Sequence, residues 1–331
     1  MRSTFVPLFA VVAAAAPVEK RQSGPSDADI LNYALTLEHL EDNFYREGIA
    51  MFSADDFKKA GLPGQFYNNL KEISSDETTH VSFLTTALTA AGATPVAECT
   101  YNFGFKDVPT FLAIANVLEG VGVSAYLGAA KYIMNKDYLT AAGSILTVES
   151  RHSAYLRENQ SPAQSPFPAA FDIPLDFDEV YSLAAQFITA CPDTNPPLPV
   201  KAFPALSVTA PTGSVKPGQT LTLKAAMAVD AKSAYFITSN GPVAAQLQGS
   251  GTDYTVVIPD GVQAGQEYLV LTKDSSAPSD DNIVAGPAVV QIADNAFGQG
   301  QGGYGGGWNG GHGWGNGGGW GGKGWGKGKG Y

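Results

Sequence analysis

Cysteine is nearly absent: the 331 residues contain only Cys99 and Cys191. That excludes a scaffold built on several disulfides and offers little to a structural zinc. For an exported chain it predicts a single Cys99–Cys191 bridge closing a long loop, a constraint of about 3–5 kcal/mol. Long hydrophobic runs are missing as well. The run from Phe5 to Ala16 is too short to span a membrane, and no later segment is expected to reach that length. Basic charge is thin. Between Asp27 and Asp193, 22 acidic residues stand against 9 basic ones, and the whole chain carries a formal charge of −11. This balance argues against nucleic acid and against anionic membrane surfaces as partners, and it does not repel metal cations. Tryptophan does not occur before residue 308, and acidic residues do not occur in 298–331.

The two ends read differently from the middle. Met1-Arg2, then an Ala/Val-rich apolar stretch, then Lys20-Arg21 predict a secretory signal peptide and dibasic processing segment over 1–21. Gln22 would be the mature N-terminus, and the location extracellular or in a cell wall. At the far end, 20 of the 34 residues in 298–331 are Gly, interspersed with Trp308, Trp314, Trp320 and Trp325. Such a tail cannot bury a core and is expected to be disordered. Its Trp, Tyr and Lys groups suit stacking on cell-wall polysaccharide or on one another.

Between the ends the pattern predicts α followed by β. Helical periodicity runs over 27–51, 63–91, 107–134 and 137–158, with a long crossover through Cys99 and Gly104 and a short fifth helix over 178–190. Together these predict a four-helix bundle, plus the fifth helix, over 27–192, ended by a Pro-rich linker at 193–202. From 203 to 294 short β-rich runs such as Leu221-Thr222-Leu223 and Tyr268-Leu269-Val270-Leu271 alternate with turns. About seven strands are expected, in an immunoglobulin-like sandwich that lacks the antibody-type Cys and Trp. No catalytic constellation occurs there.

The chemistry-bearing pattern is a duplicated unit. Phe66, Leu70, Ile73, Glu77, His80 and Leu84 share their spacing with Tyr138, Ala142, Ile145, Glu149, His152 and Leu156. Each set is an apolar helix stripe interrupted by Glu-x-x-His, whose two side chains lie one turn apart on one face. Upstream, Leu31, Ala34, Glu38, Glu41 and Tyr45 match Leu112, Ala115, Glu119, Gly122 and Tyr126. Composition alone gives roughly 0.15 Glu-x-x-His pairs in such a chain; there are two, with matching flanks. Buried ionisable groups need partners. Four Glu and two His on four core-facing stripes are the ligand set of a dinuclear carboxylate site, one that suits Fe or Mn better than zinc. Glu41 also faces the stripe, as an alternative to Glu38 or as a neighbour of the ligands. Gly120 and Gly122 each weaken their helix by about 1 kcal/mol, leaving room for close packing or a small oxidant beside Glu119. His39 and His312 are expected on the surface and in the tail.

This arrangement, over roughly residues 27–190, resembles the ferritin-like superfamily, and in particular its fungal secreted members described as stress-response or late-sexual-development proteins. The resemblance implies metal ligation by Glu38, Glu77, His80, Glu119, Glu149 and His152, with Glu38 and Glu119 terminal or bridging. It places Tyr45 and Tyr126 beside the metals as the candidate catalytic side chains. It implies two Fe or Mn ions and, if the protein is an enzyme, an oxidoreductase acting on metal, dioxygen or peroxide. A second reading is a non-enzymatic extracellular or cell-wall protein attached through its Gly/Trp tail.

Overall fold

The computed structural model describes residues 24–209 and 215–294. The expected leader at 1–21 and the tail at 298–331, with His312 and the four Trp, lie outside the described residues. Helix α1 (Asp27–Met51) opens on Ser26, whose Oγ accepts from the Asp29 amide while the Asp29 carboxylate accepts from the Ser26 amide. At the start of a short α2 (Ala54–Lys59) the Asp56 carboxylate accepts from the Ser53 amide and hydroxyl. Helix α3 (Phe66–Ala90) begins three residues after Pro63, and α4 (Val108–Ala129) begins at Asp107, with Pro109 in its first turn. Helix α5 (Lys136–Glu158) follows Asn135, which caps it. α1 packs with α3, α4 with α5, and α1 with α4, and the four form the bundle.

The crossover between the two helical pairs is held by specific bonds. The Asn32 side chain on α1 donates to the Thr94 carbonyl (3.1 Å) and accepts from the Val96 amide (2.9 Å). Cys99 and Cys191 form the expected disulfide. The fifth helix, α6 (Phe177–Ala184), is shorter than expected. Its supposed last turns are instead strand β2 (Ile188–Ala190), antiparallel to β1 (Thr100–Tyr101), so the disulfide sits beside a two-stranded pairing. His39 is half-buried against the Val96 carbonyl (3.2 Å) rather than a surface residue.

α4 is the central element, and it overturns one expectation. With its 3-10 extension it runs from Val108 to Tyr132, long and apolar enough by length and composition to cross a membrane. The reason is that it packs against α1, α5 and α6 and is hydrogen-bonded to the sheet described next. A helix so covered is apolar all round.

The β region comprises β3 (Leu206–Thr209), β4 (Thr220–Val229), β5 (Ser233–Thr238), β6 (Gly241–Val257), β7 (Gly265–Thr272) and β8 (Ile283–Ile292). Among the described residues it has six strands, where about seven were expected, all antiparallel and in the order β3-β4-β6-β5-β7-β8. The long β6 pairs with β5 through its first part and with β4 through its last. The sheet thus curls around Leu221, Leu223, Phe236, Val256, Leu269 and Ile292. A parallel bridge between Val215 and Ile292 brings the two ends together in a nearly closed sandwich or barrel. β4 shows the alternation of a half-buried strand, whereas β7 is buried almost throughout because its outer face lies on the helices. There Tyr268 Oη donates to the Gly120 carbonyl (3.0 Å), and the Gln266 amide donates to the Val117 carbonyl (3.1 Å). Gly120 makes this possible: a Cβ there would come within 2.6 Å of the Gln266 side chain.

One buried carboxyl of the sheet lacks full pairing. Glu267 is 1 % exposed and its Oε2 has no hydrogen-bond partner. Burial pushes its carboxyl up from 4.5 to about 8, against the smaller opposing effect of the Gln263 amide. The folded chain therefore binds a proton that the unfolded chain has released between those values. Its contribution to stability is intact below about pH 4.5 and is lost as pH rises through about 8. Relative to wild type, Glu267→Gln should gain about 2–4 kcal/mol at pH 9 and little at pH 4, read from urea unfolding at both.

Candidate metal centre

Six side chains from four helices converge inside the bundle. Glu38 on α1, Glu77 and His80 on α3, and Glu149 on α5 each offer an atom within 4.8 Å of the others. Glu77, Glu119 on α4, Glu149 and His152 on α5 form a second such group. Glu77 and Glu149 belong to both. All four Glu are 0 % exposed, and His80 and His152 are buried. The apolar stripes position them: each Glu-x-x-His sits between core residues of its own helix, such as Ile73 and Leu84 on α3 and Ile145 and Leu156 on α5.

The tyrosines cross between the repeats. Tyr45 on α1 donates to Glu119 Oε1 on α4, and Tyr126 on α4 donates to Glu38 Oε1 on α1. Burial first, and the adjoining carboxylates second, hold both phenols well above their ordinary pKa, so each stays a donor. One oxygen of Glu38 and one of Glu119 is thereby fixed, and the other faces a histidine. Glu38 Oε2 lies 3.1 Å from His80 Nδ1, and Glu119 Oε2 lies 3.3 Å from His152 Nδ1.

The inward atoms are crowded but poorly satisfied. His80 Nδ1 has Glu38, Glu77 and Glu149 oxygens at 3.1, 3.2 and 3.4 Å, more than one ring nitrogen can serve. Glu77 Oε1, Glu119 Oε2, both Glu149 oxygens and His152 Nδ1 make no hydrogen bond of acceptable geometry. Buried polar atoms are normally satisfied, and several orphaned Glu and His atoms in one place suit a bound cation. The titration of the cluster agrees. Burial drives Glu149 well above the carboxylate range and Glu38 up to about 7. Burial pushes Glu77 up, but the close imidazoles of His152 and His80 outweigh it and hold the carboxyl down to about 2. Facing these carboxylates, and despite burial, His152 is raised to about 11 and His80 also rises. The cluster keeps protons where cations would sit. The donor set, four carboxylates and two imidazoles, fits metal ions.

Residues 26–161 match the family described as Ferritin-like domain. This part of the chain is a ferritin-like domain. Among curated proteins the chain is similar to Protein rds1 of Schizosaccharomyces pombe (strain 972 / ATCC 24843), with 28 % identity over 188 residues. That stretch is 56 % of this chain and 45 % of rds1, so the chain spans less than half of that relative.

In the ferritin-like domain the two repeats differ at two places beside the cluster. Asp76 Oδ2 accepts from His152 Nε2 at 3.1 Å, and both residues line a 240 Å³ surface groove between α3 and α5. The equivalent residue before Glu149 on α5 is Val148, so His80 has no equivalent partner from the other repeat. Asp76 stands in the motif stretch itself, but its role was not legible: on α3 alone it reads as a solvent-facing helix residue. The second difference is Glu41 against Gly122. Glu41 is outside both ligand groups, its carboxyl packed near Glu149, and both lie close to where a Gly122 side chain would be.

Proposed function

We propose that this is a secreted protein whose ferritin-like domain holds two Fe or Mn ions. The observation that carries the reading is the set of buried, unpartnered Glu and His atoms inside two ligand groups that share Glu77 and Glu149. Glu38 and His80 would complete one site, and Glu119 and His152 the other, with Glu77 and Glu149 common to both. Oxygen-rich ligation with one imidazole per ion suits Fe or Mn. Bound there, such ions supply Lewis acidity and electrons for reaction with dioxygen or peroxide. Tyr45 and Tyr126 act by orienting Glu119 and Glu38, and Asp76 fixes the ring of His152. The protons on the two imidazoles and on the raised carboxyls leave as the ions bind. An oxidoreductase role in stress or development is the wider setting of this reading, and the β region, read as an immunoglobulin-like sandwich, serves as a cover for α4.

Elemental analysis of protein reconstituted with Fe(II) or Mn(II) should find about two ions per chain, and fewer than about 0.2 would refute the proposal. Export is supported by the Cys99–Cys191 disulfide, a bond that belongs to oxidising compartments. Protein recovered from the medium or wall of the producing cell should begin at Gln22; retention of the protein inside the cell with Met1 intact is the contrary result.

A further inference from the structure

A cavity of about 230 Å³ lies between the bundle and the β region. Its walls are mostly apolar: Leu37 on α1, Val117 and Val121 on α4, Ala184 on α6 and Val208 on β3 contribute. Its polar lining side chains are Glu41, Gln186 and Ser207, and of the lining residues Glu41 and Gly122 lie beside the metal cluster. Glu41 is 4 % exposed and makes no hydrogen bond among the described residues. Gly122 leaves open the point that a Cβ would occupy, 3.1 Å from Glu41 Oε1 and 3.0 Å from Glu149 Oε2. The other repeat has no counterpart of this arrangement, since Glu41 itself pairs by position with Gly122.

An unpartnered carboxyl buried beside an apolar cavity is costly for the protein alone. A ligand with one polar end relieves it. We propose that this cavity is a binding site for a small, mostly apolar organic molecule whose polar end hydrogen-bonds Glu41. The size follows from volume: a cavity of ~150 Å³ takes benzene, so this one holds a molecule of about nine or ten non-hydrogen atoms. Glu41 lines the cavity, and its Oε1 and Glu149 Oε2 both adjoin the open point at Gly122, so the polar end lies next to the cluster. A role for that molecule as substrate rests on the dinuclear reading above; its binding does not.

Benzamide is a suitable probe, with an aromatic body and an amide that both donates to and accepts from a carboxyl. Toluene is the control without a polar end. Titration of the full-length protein, followed by NMR, should show saturable binding of benzamide in the millimolar range or tighter. Glu41→Leu should weaken benzamide by about tenfold, the equivalent of one well-formed hydrogen bond, and change toluene by less than about twofold. Ser207→Trp, at an exposed β3 position that lines the cavity, should weaken both probes by about tenfold or more without touching the cluster. Absence of saturable benzamide binding, or binding indifferent to both substitutions, would overturn the proposal. Metal content measured on the same samples separates the two readings. Benzamide binding with this variant pattern in protein that takes up no metal sustains the cavity and sinks the dinuclear site. Two ions per chain without benzamide binding does the reverse.

Discussion

Replacing either shared carboxylate is expected to remove both metal ions, whereas replacing an unshared one is expected to remove about one. Glu77 and Glu149 occur in both ligand groups; Glu38 and His80 occur in one, and Glu119 and His152 in the other. After reconstitution, Glu149→Leu and Glu77→Ala should each drop from about two ions per chain to below about 0.2, while Glu38→Ala keeps about one. A structural cluster of hydrogen-bonded core groups predicts no such step pattern. Stability of the metal-free protein supplies an independent check, because the two shared residues should move it in opposite directions. Neither Glu149 oxygen has a hydrogen-bond partner, and burial holds the carboxyl well above its usual range. An apolar residue of similar size there removes an unsatisfied group and should leave stability unchanged or raise it by about 1–3 kcal/mol. Glu77 is the carboxylate held ionised by His80 and His152, at 3.2 and 3.0 Å. Truncating it strands two buried imidazolium groups and should cost about 3–5 kcal/mol. Metal content and urea unfolding on the same three variants decide the matter. Full metal loading of Glu149→Leu would end the case for a shared ligand.

The ligand constellation was legible because two periodicities coincide. A stripe such as Phe66, Leu70, Ile73 specifies which helix face is buried, and Glu77 and His80 continue that stripe. Their burial therefore follows from spacing alone, as it does for Glu149 and His152. The boundaries of α1 were legible for a local reason, the reciprocal Ser26–Asp29 cap. What escaped depends on contacts between distant segments. Ile188–Ala190 carries too few residues to show a period, and only its partner Thr100–Tyr101 makes it a strand. Asp76 acquires its role from a histidine on another helix. The seam between bundle and sheet rests on Gln266 and Tyr268 reaching the Val117 and Gly120 carbonyls, and no pattern within α4 announces those partners. Gly120 and Gly122 read as weak points of a helix until their neighbours are known. One admits the sheet; the other leaves room for the Glu41 and Glu149 carboxyls.

A third glycine of α4 carries the largest expected effect on folding. Gly128 faces the backbone of Leu175, in the segment that returns across α4 after the Pro-rich loop. The Leu175 amide donates to the Ser124 carbonyl at 3.2 Å, and the Leu175 side chain is 2 % exposed. A Cβ on Gly128 would lie 1.7 Å from the Leu175 carbonyl oxygen and 2.8 Å from its carbon. Those atoms are main chain, fixed by that hydrogen bond, and cannot rotate aside as a side-chain tip would. Either α4 retreats, taking Glu119 and Tyr126 with it, or the segment detaches and exposes Leu175 and the neighbouring Ile173. Gly128→Ala should therefore cost about 4 kcal/mol or more, well beyond the loss from ordinary overpacking, and Gly128→Val should not fold. Gly143 on α5 is the contrasting case, since a Cβ there meets nothing within 4 Å. Alanine at that helical position should add about 0.5–1 kcal/mol by removing backbone freedom from the unfolded chain. Thermal unfolding of the two alanine variants should thus shift in opposite directions. If Gly128→Ala melted within a degree or two of wild type, the close approach of Leu175 to α4 would be wrong, and the placement of Glu119 and Tyr126 along with it.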